Sequence, residues 1–597
     1  MSTPIESPAD QTRRAPEVRE LTERAVAIGL VLAIILGSAN AYLGLYAGLT
    51  VSASIPAAVI SMAILRALGG STILENNVAQ TVASAGEAVA AGAIFTFPAL
   101  VILGGAERLP YLEVTALCIA GGTMGSLLVV FLRRAYIVEE KLPFPEGVAC
   151  AEVLRAGAKS ANPAPLFRGA AVAALLKTAQ DIVGIVPGSF SAARWVGGAT
   201  LAGSIDISAA LCGIGFIVGV RIAALVFAGG AFAWMIAVPI LSIRHSELRS
   251  MSASAAAATL WSQQARYLGV GAMLTGGIVT LFRLRSRVIA ALRDSIGALR
   301  AEAERSTVRQ DTDLHATTIV GASALGLPII FALCMVLTGN AILSAGITIV
   351  LAVVGFFATA VAGYITGLVG ASNNPVSGIT VIVLLALALV LKALGVSPDV
   401  GPRLAIMAGA LVCTAAAMAG DSMHDLATGF YVGATPRALE IGVAIGAVAS
   451  AFVVAPVLNL LLGAYGIAGT ATAKAGALAA PQAFLMAKVT DGVFRGGLPW
   501  DAIAIGAALA ASLALVDGAL ERRGSSWRTP IMPVAIGLYL PFGLSVAIFI
   551  GSLFSIGRPR EESGSGVLFA AGLVTGEALT GVLSGALVTT GAKLPIF

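Results

Sequence analysis

AVAIGLVLAIILGSANAYLGL, residues 25–45, decides the solvent in which this chain folds. It carries no charge and is mostly apolar, and roughly 20 such residues are what a helix needs to cross the hydrocarbon of a bilayer. VSGITVIVLLALALVLKALGV (376–396) and IGVAIGAVASAFVVAPVLNLLLG (441–463) are runs of the same kind. Of the 597 residues 57% are hydrophobic and 12% charged, with a mean hydropathy of +0.92, whereas soluble domains carry about 25% charged residues. No water-soluble core could use that much apolar surface. The expected fold is therefore an all-α polytopic membrane protein, and its 69 glycines suit helices that approach closely where no hydrophobic effect drives them together. The alternating strands of about 10 residues that a membrane barrel needs are not seen.

Around these runs the punctuation is simple. The first 24 residues mix Arg13, Arg14, Arg19 and Arg24 with Glu17, Glu20 and Glu23 and precede no small-residue cleavage site, so they read as a cytosolic tail. Cys118, Cys150, Cys212, Cys334 and Cys413 lie in apolar or small-residue stretches without paired spacing, which indicates neither a disulfide framework nor a zinc site. A net charge of +5 reflects arginines in loops and says little about the substrate. P-loop, G-x-S-x-G and zincin motifs are absent, so the chain is read as no enzyme and holds no nucleotide-driven motor.

Self-comparison suggests an internal duplication. GLTVSASIP (48–56) resembles GLVGASNNP (367–375), SAGE (84–87) resembles MAGD (418–421), and PEGVACAEV (145–153) resembles PQAFLMAKV (481–489), in the same order. Gly86 and Pro145 lie 59 positions apart and Gly420 and Pro481 lie 61 apart, although Pro56 to Gly86 is 30 against 45 for its counterpart. The expected organisation is a tail (1–24), a first repeat (25–260), linker helices around an arginine-rich loop (261–339) and a second repeat (340–597). Pro-bounded stretches at 145–157 and 481–492 look too broken and polar to cross, and are read as re-entrant or interfacial. About sixteen transmembrane helices result, seven per half plus two linkers, and an odd number per half makes the repeats inverted. Charge agrees with this count: with the N-terminus in the cytoplasm, 24 of 37 Lys and Arg fall on that side, including the seven-arginine loop at 282–310, with twelve outside and Lys177 within a helix. Inverted repeats are the architecture of many secondary transporters, which bind substrate near the midplane at broken helices.

A charged side chain at a helix centre costs about 2.5 to 3.5 kcal/mol on insertion scales, so each intramembrane carboxylate is a candidate for function. Glu87, Asp181, Asp421 and Glu577 are the candidates for proton coupling. Lys177 and Asp181 are four apart and read first as a structural ion pair; Glu577 has no charged neighbour on its own helix, and Asp206 and Glu107 flank helix ends. ENNVAQTVASAGEAVAAG (75–92) stands out. Asn76, Asn77, Gln80, Ser84 and Glu87 recur at helical spacings and draw a polar stripe, while Val78, Val82 and Ala85 lie opposite. Such a stripe packs on another polar helix or lines a water-filled path, the reading preferred here. Asn373 and Asn374 in NNPVSG and the acids of AGDSMHD (419–425) offer matching groups in the other half. Asp421, His424 and Asp425 have metal-ligand spacing, but the following LATGFYVGATPR reads as a loop and no resident metal is expected.

NAYLGLYAGLTVSASIPAAVISMAILR (from Asn40), ILENNVAQTVASAGEAVAAGAIFTFPALVILG (from Ile73), KLPFPEGVACAEVLRAG (from Lys141), HDLATGFYVGATPRALEIG (from His424) and YLPFGLSVAIFIGSLF (from Tyr539) resemble the bacterial branch of the oligopeptide transporter family, which includes the yellow-stripe-like transporters of plants. The resemblance spans residues 24 to 590. It implies a secondary active, proton-coupled carrier of about sixteen helices in a bacterial inner membrane, moving short peptides or metal chelates of nicotianamine type. Asn and Gln suit such zwitterionic cargo because they donate and accept together. Substrate-binding candidates are accordingly Asn76, Asn77, Gln80, Ser84, Glu87, Asn373 and Asn374. Expected partners are the peptide or chelate, protons and the bilayer, without nucleic acid or cofactor; a homo-oligomer stays open. One feature departs from a chelate carrier: no obvious basic cluster lies inside the membrane. From other classes, a channel, or a hydrolase using Glu87 and Asp421 as an acid pair, stays possible.

Overall fold

A chain in hydrocarbon must satisfy its backbone hydrogen bonds internally, which leaves helices as the economical answer to long apolar runs. The computed structural model describes residues 20–48, 50, 52–104, 108–160, 163–283, 312–315, 317–319, 321, 326–371, 374, 376–474, 476–497, 499–525, 527–557 and 564–590. Glu107, Asn373, most of the N-terminal tail and most of the arginine-rich loop lie outside them. Among the described residues ten helices are long and apolar enough to span a membrane, and four apolar helices are shorter. The protein is thus a mainly helical, polytopic membrane protein. Where more crossings were expected, breaks at Gly219 and at Leu540–Pro541 divide the chain into pieces of 9 to 12 residues.

The elements that frame the site are α1 (Glu23–Ala47), α2 (Ser54–Ala67), α3 (Ile73–Ile94), α4 (Tyr111–Arg133), α5 (Pro145–Ser160), α6 (Ala164–Thr178), β1 (Ser189–Val196), β2 (Ala199–Asp206), α7 (Ala209–Val218), α8 (Arg266–Arg283), α9 (Ala341–Val369), α10 (Val376–Ala393), α11 (Gly401–Val432), α12 (Pro436–Tyr465), α13 (Pro481–Arg495) and α14 (Ser565–Thr589).

Two expectations are corrected. The fold is not all-α, because β1 and β2 pair as an antiparallel hairpin with Val196 opposite Ala199. Gly197 and Gly198, at φ 58° and 88°, supply the positive φ that a two-residue hairpin turn demands. Secondly, LATGFYVGATPR is not a loop up to Val432: α11 runs through it and ends at Gly433. The Thr428 hydroxyl bonds back to the His424 carbonyl at 3.1 Å and across to the Gly147 carbonyl at 3.2 Å, so this turn is tied into the protein interior.

Packing is reciprocal between residues 25–260 and 340–597. Helix α3 lies on α12 while α11 lies on α4; α1 touches α12 while α9 touches α4; and α3 and α11 cross each other at the centre. The two Pro-bounded helices are exchanged in the same sense. The Phe144 amide, just before α5, donates to the Gly367 carbonyl near the end of α9 at 2.8 Å; the Ala480 amide, just before α13, donates to the Leu45 carbonyl near the end of α1 at 2.7 Å. Both residues adopt positive φ, 36° and 40°. The long helices end on Gly48 and Gly370, at φ 71° and 88°, where an added Cβ would sit 2.4 Å from Pro481 Cγ and 2.6 Å from Glu146 Oε1. With 16 and 15 residues, α5 and α13 fall short of the span a bilayer needs.

Candidate functional site

The polar stretch divides its two carboxylates between different tasks. Glu75 starts α3: the Thr72 hydroxyl accepts from the Glu75 amide at 3.1 Å while Glu75 Oε2 accepts from the Thr72 amide at 3.2 Å, a capping box. The same carboxylate takes two bonds from Arg24, at 2.9 and 2.8 Å, and one from Thr22. Its valence is spent on fastening α1 to α3.

Glu87 lies three turns further on and is 2% exposed. Its Oε1 accepts from the Asn40 amide of α1, and its carboxyl lies against that of Asp421 on α11. The rest of the stripe follows the same crossing. Gln80 Nε2 donates to Asp425 Oδ1 at 2.5 Å, and Ser84 Oγ is 3.1 Å from Ser54 Oγ. Ser54 in turn donates to Asp425 Oδ1 at 3.3 Å and lies 3.4 Å from His424 Nδ1. Asp425 is 0% exposed and reaches inward instead of facing water, while Asp421 is partly exposed. Glu87, Asp421, His424 and Asp425 therefore form one network where α1, α2, α3 and α11 meet. Small residues permit that approach: a Cβ on Gly92 would lie 2.4 Å from Thr414 Cα.

Several buried polar atoms here keep hydrogen-bonding capacity. Both amide atoms of Asn77, Gln80 Oε1, His424 Nε2, Asp425 Oδ2 and Ser422 Oγ have no protein partner, and neither do Asn374 Oδ1 and Thr366 Oγ1. Gly420 brings the last two close, since its Cβ would lie 2.6 Å from Asn374 Nδ2 and 2.8 Å from Thr366 Oγ1. Asn76 behaves differently, accepting from Ser71 at 3.1 Å at the helix start. Unpaired amides, an imidazole and carboxylates within low-dielectric surroundings are the groups a zwitterionic solute or an ordered water can engage. Among the described residues no group of three or more His, Cys, Asp and Glu is arranged to hold a metal ion.

The other two carboxylates belong to a second cluster. Glu577 on α14 accepts from the Ser208 hydroxyl at 2.7 Å and the Ala210 amide at 2.8 Å, so it caps α7. Lys177 Nζ sits 3.0 Å from Asp181 Oδ1 and 5.9 Å from the Tyr42 ring centre. Tyr42 stacks on Tyr46, whose hydroxyl donates to Asp206 Oδ2 at 3.3 Å. A cavity of about 20 Å³, lined by Asn40, Ser52, Pro56 and Thr575, touches α1, α2 and α14 beside both clusters. That is room for a water and not for a peptide.

Sequence reasoning missed three participants. Asn40 was visible as the one amide within an apolar run, and Ser54 as a serine beside a break. Arg266, 3% exposed and buried against Phe484 and Tyr539, is a single buried cation, not the basic cluster that a chelate carrier would need; its position beside a helix start concealed it.

Comparison with known proteins adds an independent line. Residues 20–588 match the family described as "OPT oligopeptide transporter protein". The chain is 33% identical over 574 residues to the "Putative oligopeptide transporter" of Haemophilus influenzae, covering 90% of each chain. That family is one of transporters and not of enzymes. The chain belongs to the OPT oligopeptide transporter family.

Proposed function

We propose that this protein is a proton-coupled secondary transporter of small peptides or peptide-like compounds in a bacterial inner membrane, with its N-terminus in the cytoplasm. The observation that carries the proposal is Glu87, held by Asn40 and facing Asp421 where the two cross-packed segments meet. Two carboxyl groups in contact at bilayer depth favour sharing one proton, since both cannot ionise side by side in low dielectric. Substrate amides and the amino terminus meet Asn77, Gln80, Ser84 and Asn374, with Asn76 flanking them; Asn373 is a candidate that lies outside the described residues. Glu577 and Asp181 provide a second protonation station, reached through the small cavity between the clusters. Reciprocal packing supports a reading of two inverted halves that rock about the α3–α11 crossing, giving alternating access.

Flux into proteoliposomes tests the proposal. A carrier accumulates peptide above the external concentration under an imposed inward proton gradient, a channel only equilibrates it, and a hydrolase releases cleaved products. Glu87→Gln should abolish gradient-driven accumulation while sparing counterflow exchange; equal loss of both, or of neither, removes Glu87 from coupling. Accumulation of ferric chelates in place of peptides would move the substrate class.

A further inference from the structure

Arg266 opens α8 and is enclosed by aromatic faces: its Cζ lies 3.5 Å from the Phe484 ring centre, 4.7 Å from Tyr539 and 4.8 Å from Trp261. Nη2 donates to the Tyr539 hydroxyl at 2.5 Å, whereas Nε is buried and has no partner. Among the described residues no carboxylate lies within 4.0 Å of the guanidinium. A buried cation without a counter-ion is unusual, because stacking on rings replaces only part of its lost hydration. A guanidinium carries five donors in a planar fork matched to a carboxylate, and here Tyr539 engages Nη2 while Nε keeps its donor unspent.

The position also points to a ligand. Phe484 and Gln482 belong to the first turn of α13, the short helix that hooks onto α1, and Tyr539 stands at the break before Leu540–Pro541. Gln482 Oε1 is buried and unpartnered. Lys488 Nζ, 5.4 Å from the Phe484 ring centre, adds a second positive charge. Pro481, next to Gln482, abuts Gly48, and the segment leaving Gly48 carries Ser52 and Ser54, the latter bonded to Asp425. The first turn of α13 thus links Arg266, through Phe484, to Gly48, through Pro481, and the segment leaving Gly48 supplies Ser54 to the acid network.

We propose that Arg266, stacked between Phe484, Tyr539 and Trp261, is a subsite for the terminal carboxylate of the transported peptide or peptide-like compound. The inference rests on the transport reading. It assigns the two poles of a zwitterion to different places: amides and acids at the α3–α11 crossing take the amino end, and the guanidinium takes the carboxylate. A lysine would supply the charge without the fork.

The test compares trialanine with trialanine amide on the purified full-length protein, by isothermal titration and by uptake into proteoliposomes. Wild type should bind the free acid at least about tenfold more tightly than the amide, the scale of one charge-assisted hydrogen bond. Arg266→Gln should bring that ratio to about one, and Arg266→Lys should leave it intermediate with folding preserved. A ratio unchanged in Arg266→Gln overturns the subsite, and so does a wild type that binds acid and amide alike. If Arg266→Gln fails to fold, an unchanged ratio in Arg266→Lys overturns it equally. Uptake separates this inference from the one it rests on: accumulation of both peptides without discrimination refutes the subsite alone, whereas discriminating binding without gradient-driven accumulation refutes the transport reading alone.

Discussion

Replacing Lys177 with Met strands Asp181. The lysine is 9% exposed and the aspartate 0%, their charged atoms are 3.0 Å apart, and neither Asp181 oxygen has a hydrogen bond beyond this ion pair. Removing one partner of such a pair leaves an uncompensated charge and costs about 3 to 5 kcal/mol, a shift of roughly a hundredfold or more in the folding equilibrium. Substituting both members together, Lys177→Met with Asp181→Leu, removes the charge along with its partner and should return stability to the wild-type level or above. Unfolding in detergent, followed by loss of monodisperse protein and by tryptophan fluorescence, gives the double-mutant cycle. A double variant as unstable as the single one would refute the reasoning and extend the electrostatic unit to Glu577. The rescued variant also reports on coupling: as part of the second station, Asp181 should be needed for gradient-driven uptake more than for exchange, and unaffected uptake would strike it from the path.

Gly92→Ala places a Cβ 2.4 Å from Thr414 Cα, so α3 and α11 must part by about 1 Å, an overpacking worth about 1 to 3 kcal/mol. Lower thermal stability and slower uptake are expected, whereas Gly346→Ala, with nothing within 4 Å of its Cβ, should match wild type. Burial pushes the Asp206 carboxyl above its ordinary value, with the Tyr46 hydrogen bond opposing this only in part. The stability held by that group is complete below the unfolded value near 3.8 and is lost as pH rises through the raised folded one. Asp206→Asn should therefore flatten the decline of stability with rising pH, and an identical slope in both proteins would contradict it.

How much of this was legible beforehand differs by level. Apolar runs such as 25–45 announce their helices because bilayer insertion depends on composition within one segment. The stripe from Asn76 to Glu87 was legible for the same reason, since helical spacing is local. Its partners were not: that Gln80 meets Asp425 while Ser84 meets Ser54 depends on how α3 crosses α11 and α2. The hairpin had a signal in Gly197–Gly198 between two short runs compatible with strands, but an apolar composition masked it. Glu577 looked isolated because its partners, Ser208 and the Ala210 amide, are 369 and 367 positions away. Arg266 escaped for the converse reason, since its companions are rings, which sequence patterns do not associate with charge.

The exchanged Pro-bounded helices bear on how the polypeptide is made. When a ribosome has delivered α5, the Phe144 amide still waits for Gly367, and the Leu45 carbonyl waits longer still, for Ala480. In hydrocarbon an amide or carbonyl without a partner is penalised by several kcal/mol, so the first half inserts as an unfinished body that relies on water or the insertion machinery to cover those groups. Neither half, expressed by itself, would close its own backbone. Supplied together as separate chains, they would clasp each other and mature as one.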